Sequence, residues 1–283
     1  MNNIILRRRK LGISSGKGIE KYSTTGIKEI RNWRDNMPED LGWVFRWGCT
    51  STIDGGKIVN SSKAIHRVSD KLGFRMTLAN YHLCQPTTTD RKRVYHWLDI
   101  DGKSVVVRTA KHSRGRGMWL VAPGQPLPAI MVKPGREWYA SHLVDKVAEY
   151  RVCVVSGRVV WVANKIPANP HAVAWNVAKG GRFENVRWED WPLKAVRVAC
   201  EAFDISGLDF GGVDVMVDEG GMVYVLEINS APSLTSPYRQ ECMAKAFDWI
   251  VKRNGAENIK RKPERGGWKK FIHPALTDKA ELL

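Results

Sequence analysis

Three oxygen-bearing side chains stand close together late in the chain. Gly212-Val213-Asp214-Val215 is followed by Val225-Leu226-Glu227-Ile228-Asn229-Ser230-Ala231-Pro232. Alternate residues of a strand share a face, so Glu227 and Asn229 lie on one side together with Val225. A hairpin folded symmetrically about the neighbourhood of Gly220 puts Asp214 opposite Val225 and diagonal to Glu227. Diagonal neighbours are about 7 Å apart at the backbone. Two carboxylates and an amide oxygen, with no histidine or thiol among them, suit Mg2+ or Mn2+, which take carboxylates together with substrate phosphate. The plainer alternative is a strand pair whose acids face water.

A second set is Lys111-His112-Ser113-Arg114-Gly115-Arg116-Gly117, with Arg108 just before it. Glycines let backbone N–H groups approach a phosphate, and Arg and Lys add charge. A solvated hairpin tip is the competing reading. Gly12-Ile13-Ser14-Ser15-Gly16-Lys17-Gly18 looks like a phosphate-binding P-loop at first sight. Its glycine spacing is one residue short, no Ser or Thr follows the Lys, and no apolar strand precedes it. It is set aside.

These residues need elements to position them. Residues 104–109 and 118–121 read as strands flanking the basic loop, and 130–133 as a third strand ended by Pro134-Gly135. Residues 150–156 and 158–164 form a hairpin about Ser156-Gly157. Asp190-Trp191-Pro192 opens a helix with Leu193, Val196, Cys200 and Phe203 on one face. Ser236-Pro237 caps a last helix bearing Met243, Phe247 and Ile250. Upstream, 41–47 is a short strand, and Asn60-Ser61-Ser62 starts a helix through Ile65, Val68 and Leu72 that Gly73 stops. Residues 1–40 read as a basic, weakly ordered leader, with nine Lys or Arg against three acids up to Asn36. Residues 252–283 read as a basic tail.

The chain has 283 residues and a net charge of +16, with 43% apolar residues. That is globular composition, and the charge points to a polyanionic partner or substrate. No stretch approaches the ~18–20 apolar residues of a membrane span, and the start lacks the order of a signal peptide. Cys49, Cys84, Cys153, Cys200 and Cys242 form no CxxC pair, which predicts buried thiols in a reducing cytoplasm. His66, His82, His96, His112, His142, His171 and His273 show no metal-ligand spacing. Of the twelve tryptophans, Trp175, Trp188 and Trp191 lie where they could wall an acceptor site or stack bases, although tryptophan is more often core.

The ordered set of Arg108 and the glycine loop, Glu149-Tyr150-Arg151, Asn176 with Gly180-Gly181, Asp214, and Glu227-Ile228-Asn229 resembles the ATP-grasp superfamily. It is most similar to RimK-type carboxylate–amine ligases. The resemblance spans about 46–251, and its compactness is similar to that of phage-encoded members. It implies an α+β fold of two lobes clasping ATP, behind a truncated pre-grasp segment. The expected divisions are a reduced pre-grasp segment over 41–102 and a grasp domain over 103–251, with the lobes meeting near 133–134.

By this resemblance Asp214, Glu227 and Asn229 hold Mg2+, or Mn2+ in its place. Arg108, Lys111, His112, Ser113, Arg114, Gly115, Arg116 and Gly117 contact the phosphates. Met131, Val132 and Lys133 line the adenine as a hinge strand, and Arg151, Lys165 and Asn176 serve catalysis. The implied reaction activates a carboxylate as an acylphosphate and joins it to an amine, releasing ADP and phosphate. The substrates would be amino acid, peptide, protein or nucleic acid, in the cytoplasm, a host's if the chain is phage-encoded, with no membrane involved. Two alternatives keep the fold and drop ligation: a nucleic-acid binder without turnover, and a kinase that stops at phosphoryl transfer.

Overall fold

The computed structural model describes residues 1–7, 15–31, 37–110, 117–133, 135–169, 172–173, 175, 180–258 and 267–279. Three sheets build it, and each has a separate job.

The first sheet is parallel throughout, in the order β2-β1-β3-β4. It comprises β1 (Asn2–Arg7), β2 (Lys28–Ile30), β3 (Leu41–Trp47) and β4 (Lys57–Val59), with α1 (Ser15–Tyr22) following β1. The leader therefore is not a loose arm. Ile4, Ile5 and Leu6 are buried in an interior strand, and Arg7 pairs with Glu29 at 2.5 Å. An interior parallel strand is covered on both faces, so it reads as a short apolar run without alternation. The following basic run hid it. The pre-grasp segment is thus a four-stranded unit and not a leader with one helix.

Ser61 caps α2 (Ser62–Ser69), accepting from the Ala64 N–H at 3.1 Å. The helix breaks at Asp70, which caps α3 (Lys71–Asn80) through the Gly73 N–H at 3.0 Å. Gly73 therefore lies in a first turn and stops nothing. The break matters, because it turns Lys71 towards the lobes.

The N-lobe sheet has the order β5-β8-β6-β7. Its strands are β5 (Thr87–Thr88), β6 (Val105–Thr109), β7 (Met118–Val121) and β8 (Trp138–His142). Val94 on α4 (Arg91–Tyr95) and Trp97 on the π turn that extends it pack against Val105, Val107 and Ala140. Residues 130–133 are not a strand. Ala129–Met131 forms a 3-10 turn, because Pro128 starts it and the Met131 N–H donates back to the Pro128 carbonyl at 2.9 Å.

The C-lobe sheet has the order β11-β10-β9-β12-β13. It contains β9 (Lys146–Val155), β10 (Arg158–Ile166), β11 (Arg182–Val186), β12 (Phe210–Asp218) and β13 (Val223–Asn229), all antiparallel neighbours. Ser156 and Gly157 take positive φ of 47° and 73°, the primed turn that matches strand twist. One face carries Val152, Val154, Val213 and Val215, packed with Val196, Cys200 and Phe203 of α5 (Leu193–Ser206); Leu193 itself is exposed. The other face meets α6 (Pro237–Arg253) at one end and turns towards the N-lobe at the other. The tail returns to the body: Phe271 and Ile272 are buried, and Ile272 bridges Val159. All five cysteines are buried, and none forms a disulfide. Among the described residues, no helix is long and apolar enough to cross a membrane.

Candidate active site

The β12–β13 hairpin decides the site. Val217 pairs with Val223 across a five-residue connection, and a bulge between Asp214 and Val215 shifts the register once more. Asp214 therefore lies directly opposite Glu227, and Gly212 opposite Asn229. The symmetric hairpin expected from sequence is overturned. An odd loop plus a bulge brings the two carboxylates from diagonal to adjacent positions, about 4.5–5.5 Å apart at Cβ.

On the other side of β12, Asp214 pairs with Arg151 of β9. Arg151 Nε and Nη2 donate to Asp214 Oδ1 and Oδ2 at 2.6 and 2.8 Å, a bidentate fork. Lys165 of β10 donates to Asp214 Oδ2 at 2.7 Å and to Glu149 Oε2 at 3.1 Å. Lys146 completes the chain by pairing with Glu149 and donating to the Val173 carbonyl at 2.7 Å. Asp214 is 1% exposed. Burial alone would push its carboxyl up, but Arg151 and Lys165 hold it well below the usual carboxylate range. Burial works against the charge of Lys165 as well, yet Asp214 and Glu149 raise its pKa.

Glu227 stands on the open side of this row. It accepts from Lys71 Nζ at 2.9 Å through Oε2 and from Asn229 Nδ2 at 3.1 Å through Oε1. Burial and Asp214 raise its pKa, and Lys71 and Asn229 more than offset them, so it lies below the ordinary value. Among the described residues, no three His, Cys, Asp or Glu side chains form a metal cluster. The candidate donors are two carboxylates and an amide. They fit a hard divalent cation: Asn229 spends its N–H on Glu227 and keeps Oδ1 free, and Asp214 Oδ1 carries one bond and retains a lone pair. Lys71 competes for Glu227.

A cleft runs between this face and the N-lobe sheet. Val106 lines it from above, Met216 and Leu226 from below, and Arg108 and Lys71 face its charged end. His142, Leu143 and Val144, where β8 runs into β9, form the connecting wall. Met131, Val132 and Lys133 do not line the cleft. Met131 is buried in the N-lobe core, and Val132 and Lys133 are exposed. Residues 130–133 are as apolar as a strand, yet Ala129–Met131 is a 3-10 turn, and it is His142 at the end of β8 that lines the cleft.

Arg108, Lys165, Asp214 and Glu227 line the cleft, and Arg151 stands behind them, holding Asp214. Asn229 adjoins it through Glu227. Gly117 closes the β6–β7 hairpin, its carbonyl accepting from the Thr109 N–H at 3.0 Å with φ of 63°. Lys111, His112, Ser113, Arg114, Gly115, Arg116 and Asn176 lie outside the described residues. Sequence reasoning missed Lys71, Glu149 as a side chain of the network, Gln85 and Lys146. Of these, Glu149 was legible, since it alternates with Arg151 along β9. Trp175 lines the cleft with Lys146 Nζ 4.7 Å over its ring, while Trp191 is core and Trp188 packs against Trp268.

Residues 99–248 match the model of the RimK-like ATP-grasp domain. The chain belongs to that family, and its chemistry is ATP-dependent carboxylate–amine ligation. It is 26% identical over 259 residues to a probable alpha-L-glutamate ligase 2 of Hahella chejuensis, covering 86% of this chain and 83% of that one. Two solved structures share the fold. A Chryseobacterium gregarium RiPP-associated ATP-grasp ligase, in complex with ADP and a leader and core peptide, has a TM-score of 0.60 at 15% identity, covering 92% of this chain and 99% of its own. The D-alanyl-alanine synthetase A of Vibrio cholerae has a TM-score of 0.59 at 14% identity, covering 89% and 98%.

Proposed function

We propose that the protein activates a peptide carboxylate with ATP and joins it to the α-amino group of an acidic amino acid, releasing ADP and phosphate. The observation that carries this reading is the cation row of Lys71, Arg108, Lys146 and Lys165 along a cleft floored by Asp214 and Glu227, with Arg151 backing Asp214. Phosphoryl transfer to a carboxylate concentrates negative charge, and preorganised cations stabilise it. The alpha-L-glutamate ligase relatives support glutamate as the amine, and the charge of +16 suits acidic substrates.

In this assignment the apolar slot between Val106 and Met216 takes the adenine. Arg108 and Lys71 face the phosphates, and the basic residues of 111–117 belong to the same proposal as phosphate contacts. Asp214, Glu227 and Asn229 would hold Mg2+, or Mn2+ with the same oxygen preference, and the ion would neutralise charge on the transferred phosphoryl group. Arg151 and Lys165 orient Asp214. Lys165 also extends positive charge to the cleft, where the carboxylate and phosphoryl oxygens meet. Asn176 belongs to the same proposal as a catalytic residue.

The test is incubation with MgATP, L-glutamate and peptides with free C-terminal carboxylates, following ADP release and peptide mass together. Glutamate-dependent ADP release with a mass gain of one glutamyl residue is the expected result. ADP release with a stable phosphorylated product and no need for an amine would replace ligation by kinase chemistry.

A further inference from the structure

Two arginines end neighbouring strands of the parallel sheet, and the fold treats them differently. Arg7 closes β1 and is paired with Glu29. Arg46 stands near the end of β3, beside Leu6 in the β1–β3 register. It is 6% exposed, and among the described residues no carboxylate pairs with it. Its Nη1 donates to the Ser62 hydroxyl, and its buried Nε has no partner. A buried charge without a counterion is destabilising, and so is a buried N–H without an acceptor.

The place points the same way as the charge. The chain leaves β1 through α1 for β2 on one side and reaches β3 on the other, so the carboxyl ends of β1 and β3 flank the point where the strand order reverses. Open parallel sheets take ligands at that point. The first turn of α2 meets Arg46 at this edge. Ser61 takes the Ala64 N–H with its side chain and the Ile65 N–H with its carbonyl, which leaves the N–H groups of Ser62 and Lys63. Asn60 fixes the turn by accepting from the Phe210 N–H at 3.0 Å. A guanidinium, a hydroxyl and a helix N-terminus on one edge make an anion site. Its neighbour is the segment that follows Asn229. Gly48, two residues beyond Arg46, makes room for Ala231, since a Cβ on it would stand 3.0 Å from Ala231 Cβ. The edge thus adjoins the chain of a proposed metal donor, while Arg46 is not among the residues that line the cleft.

We infer that Arg46, Ser62 and the first turn of α2 form a seat for a substrate carboxylate other than the one that reacts. The inference rests on the ligation reading. In that reading Lys71 and Arg108 provide for the phosphates. The anions left over are the carboxylates of the acidic amino acid and of acidic side chains in the peptide. Anchoring one of them sets which group is presented to the reaction.

The test is steady-state ADP release with MgATP by wild type, Arg46→Met and Ser62→Ala. L-glutamate is compared with L-glutamine and L-isoglutamine, each lacking one carboxylate, and a glutamate-containing peptide with its glutamine counterpart. In wild type one of these amide replacements should raise KM about 10–100-fold, the equivalent of a hydrogen bond to a charged group. Arg46→Met should raise KM for the acid by a similar factor, far more than it lowers kcat, and should no longer tell acid from amide. Ser62→Ala should move KM the same way by a smaller factor. A change confined to the glutamate KM places the amino acid in the seat, and a change confined to the peptide KM places the peptide there.

Unchanged KM values in Arg46→Met, or an acid–amide discrimination as large as in wild type, overturn the inference and leave ligation standing. Arg46→Met should melt no lower than wild type, because it removes an unpaired buried charge. A lower melting temperature with unchanged KM values makes Arg46 structural. If Arg46→Met fails to fold, Ser62→Ala and the wild-type amide comparison decide. If wild type releases no ADP with any of these substrates, the ligation reading fails, and calorimetry with glutarate decides the seat: binding that Arg46→Met loses supports it, and no binding by wild type overturns it.

Discussion

Asp214 neutralises Arg151 and Lys165 while 1% exposed, so replacing it has a structural effect that replacing Glu227 does not. Removing one partner of a buried ion pair typically costs about 3–5 kcal/mol, because the remaining charge stays buried. Asp214→Asn should therefore abolish ADP release and lower stability by about 3 kcal/mol in urea denaturation. The fork from Arg151 makes this loss of stability unavoidable. Glu227→Gln keeps its Asn229 contact and loses only a half-exposed pair with Lys71, so stability should change by less than about 1 kcal/mol while turnover is lost. Near-normal ADP release in either variant would remove it from the site. The same residues set a pH signature. Asp214 has a depressed folded pKa, so its contribution is complete above its ordinary value of about 3.9 and is lost as pH falls through the folded value. Lys165 is raised, so its contribution holds below about 10.4 and is lost as pH rises through its folded value. Melting wild type and Asp214→Asn from pH 2 to 8 should give a gap that is widest near neutrality and narrows towards the acid end.

At the scale of elements, the readable parts are those whose local chemistry is decisive. The Ser156-Gly157 turn, the Ser236 cap of α6 and the apolar face of α5 at Val196, Cys200 and Phe203 all stand where residue type alone puts them. The pairing of Asp214 with Glu227 was out of reach, because loop parity and a bulge leave no mark in the hydrophobic pattern. The strand expected at 130–133 is absent for a related reason. An apolar run such as Ile130-Met131-Val132 fits a strand or a buried turn equally well, and only Pro128 tilts it. Close packing on β12 also explains the glycine at 212. A Cβ there would lie 3.1 Å from Pro232 Cβ and 3.4 Å from Arg151 Cδ. Gly212→Ala should thus displace the Arg151 fork at a cost of about 1–2 kcal/mol. ADP release should fall much more than stability does. Full activity in that variant would mean that the exact pose of Arg151 is unimportant.

At the scale of the molecule, the N-terminal sheet and the C-lobe share a core. Phe45 of β3 stacks on Phe247 of α6 with centroids 4.1 Å apart and planes 13° from parallel, and Trp47 stacks on Phe210 at 5.2 Å. Polar ties follow the same seam. Asn60 Oδ1 accepts from the Asp209 and Phe210 N–H groups, at 2.7 and 3.0 Å, and Asp248 accepts from Ser23, Thr24 and Thr25. A basic leader would be dispensable; a sheet joined in this way is not. Phe45→Ala opens a cavity between the two units and should cost about 3–5 kcal/mol. Because Phe247 loses its stacking partner, the loss falls on both units at once, and unfolding should remain one transition, with fluorescence and circular dichroism coincident. Two separated transitions would mean that the parallel sheet folds as an independent domain. The seam would then be a docking surface, and truncating the first forty residues would leave ADP binding intact.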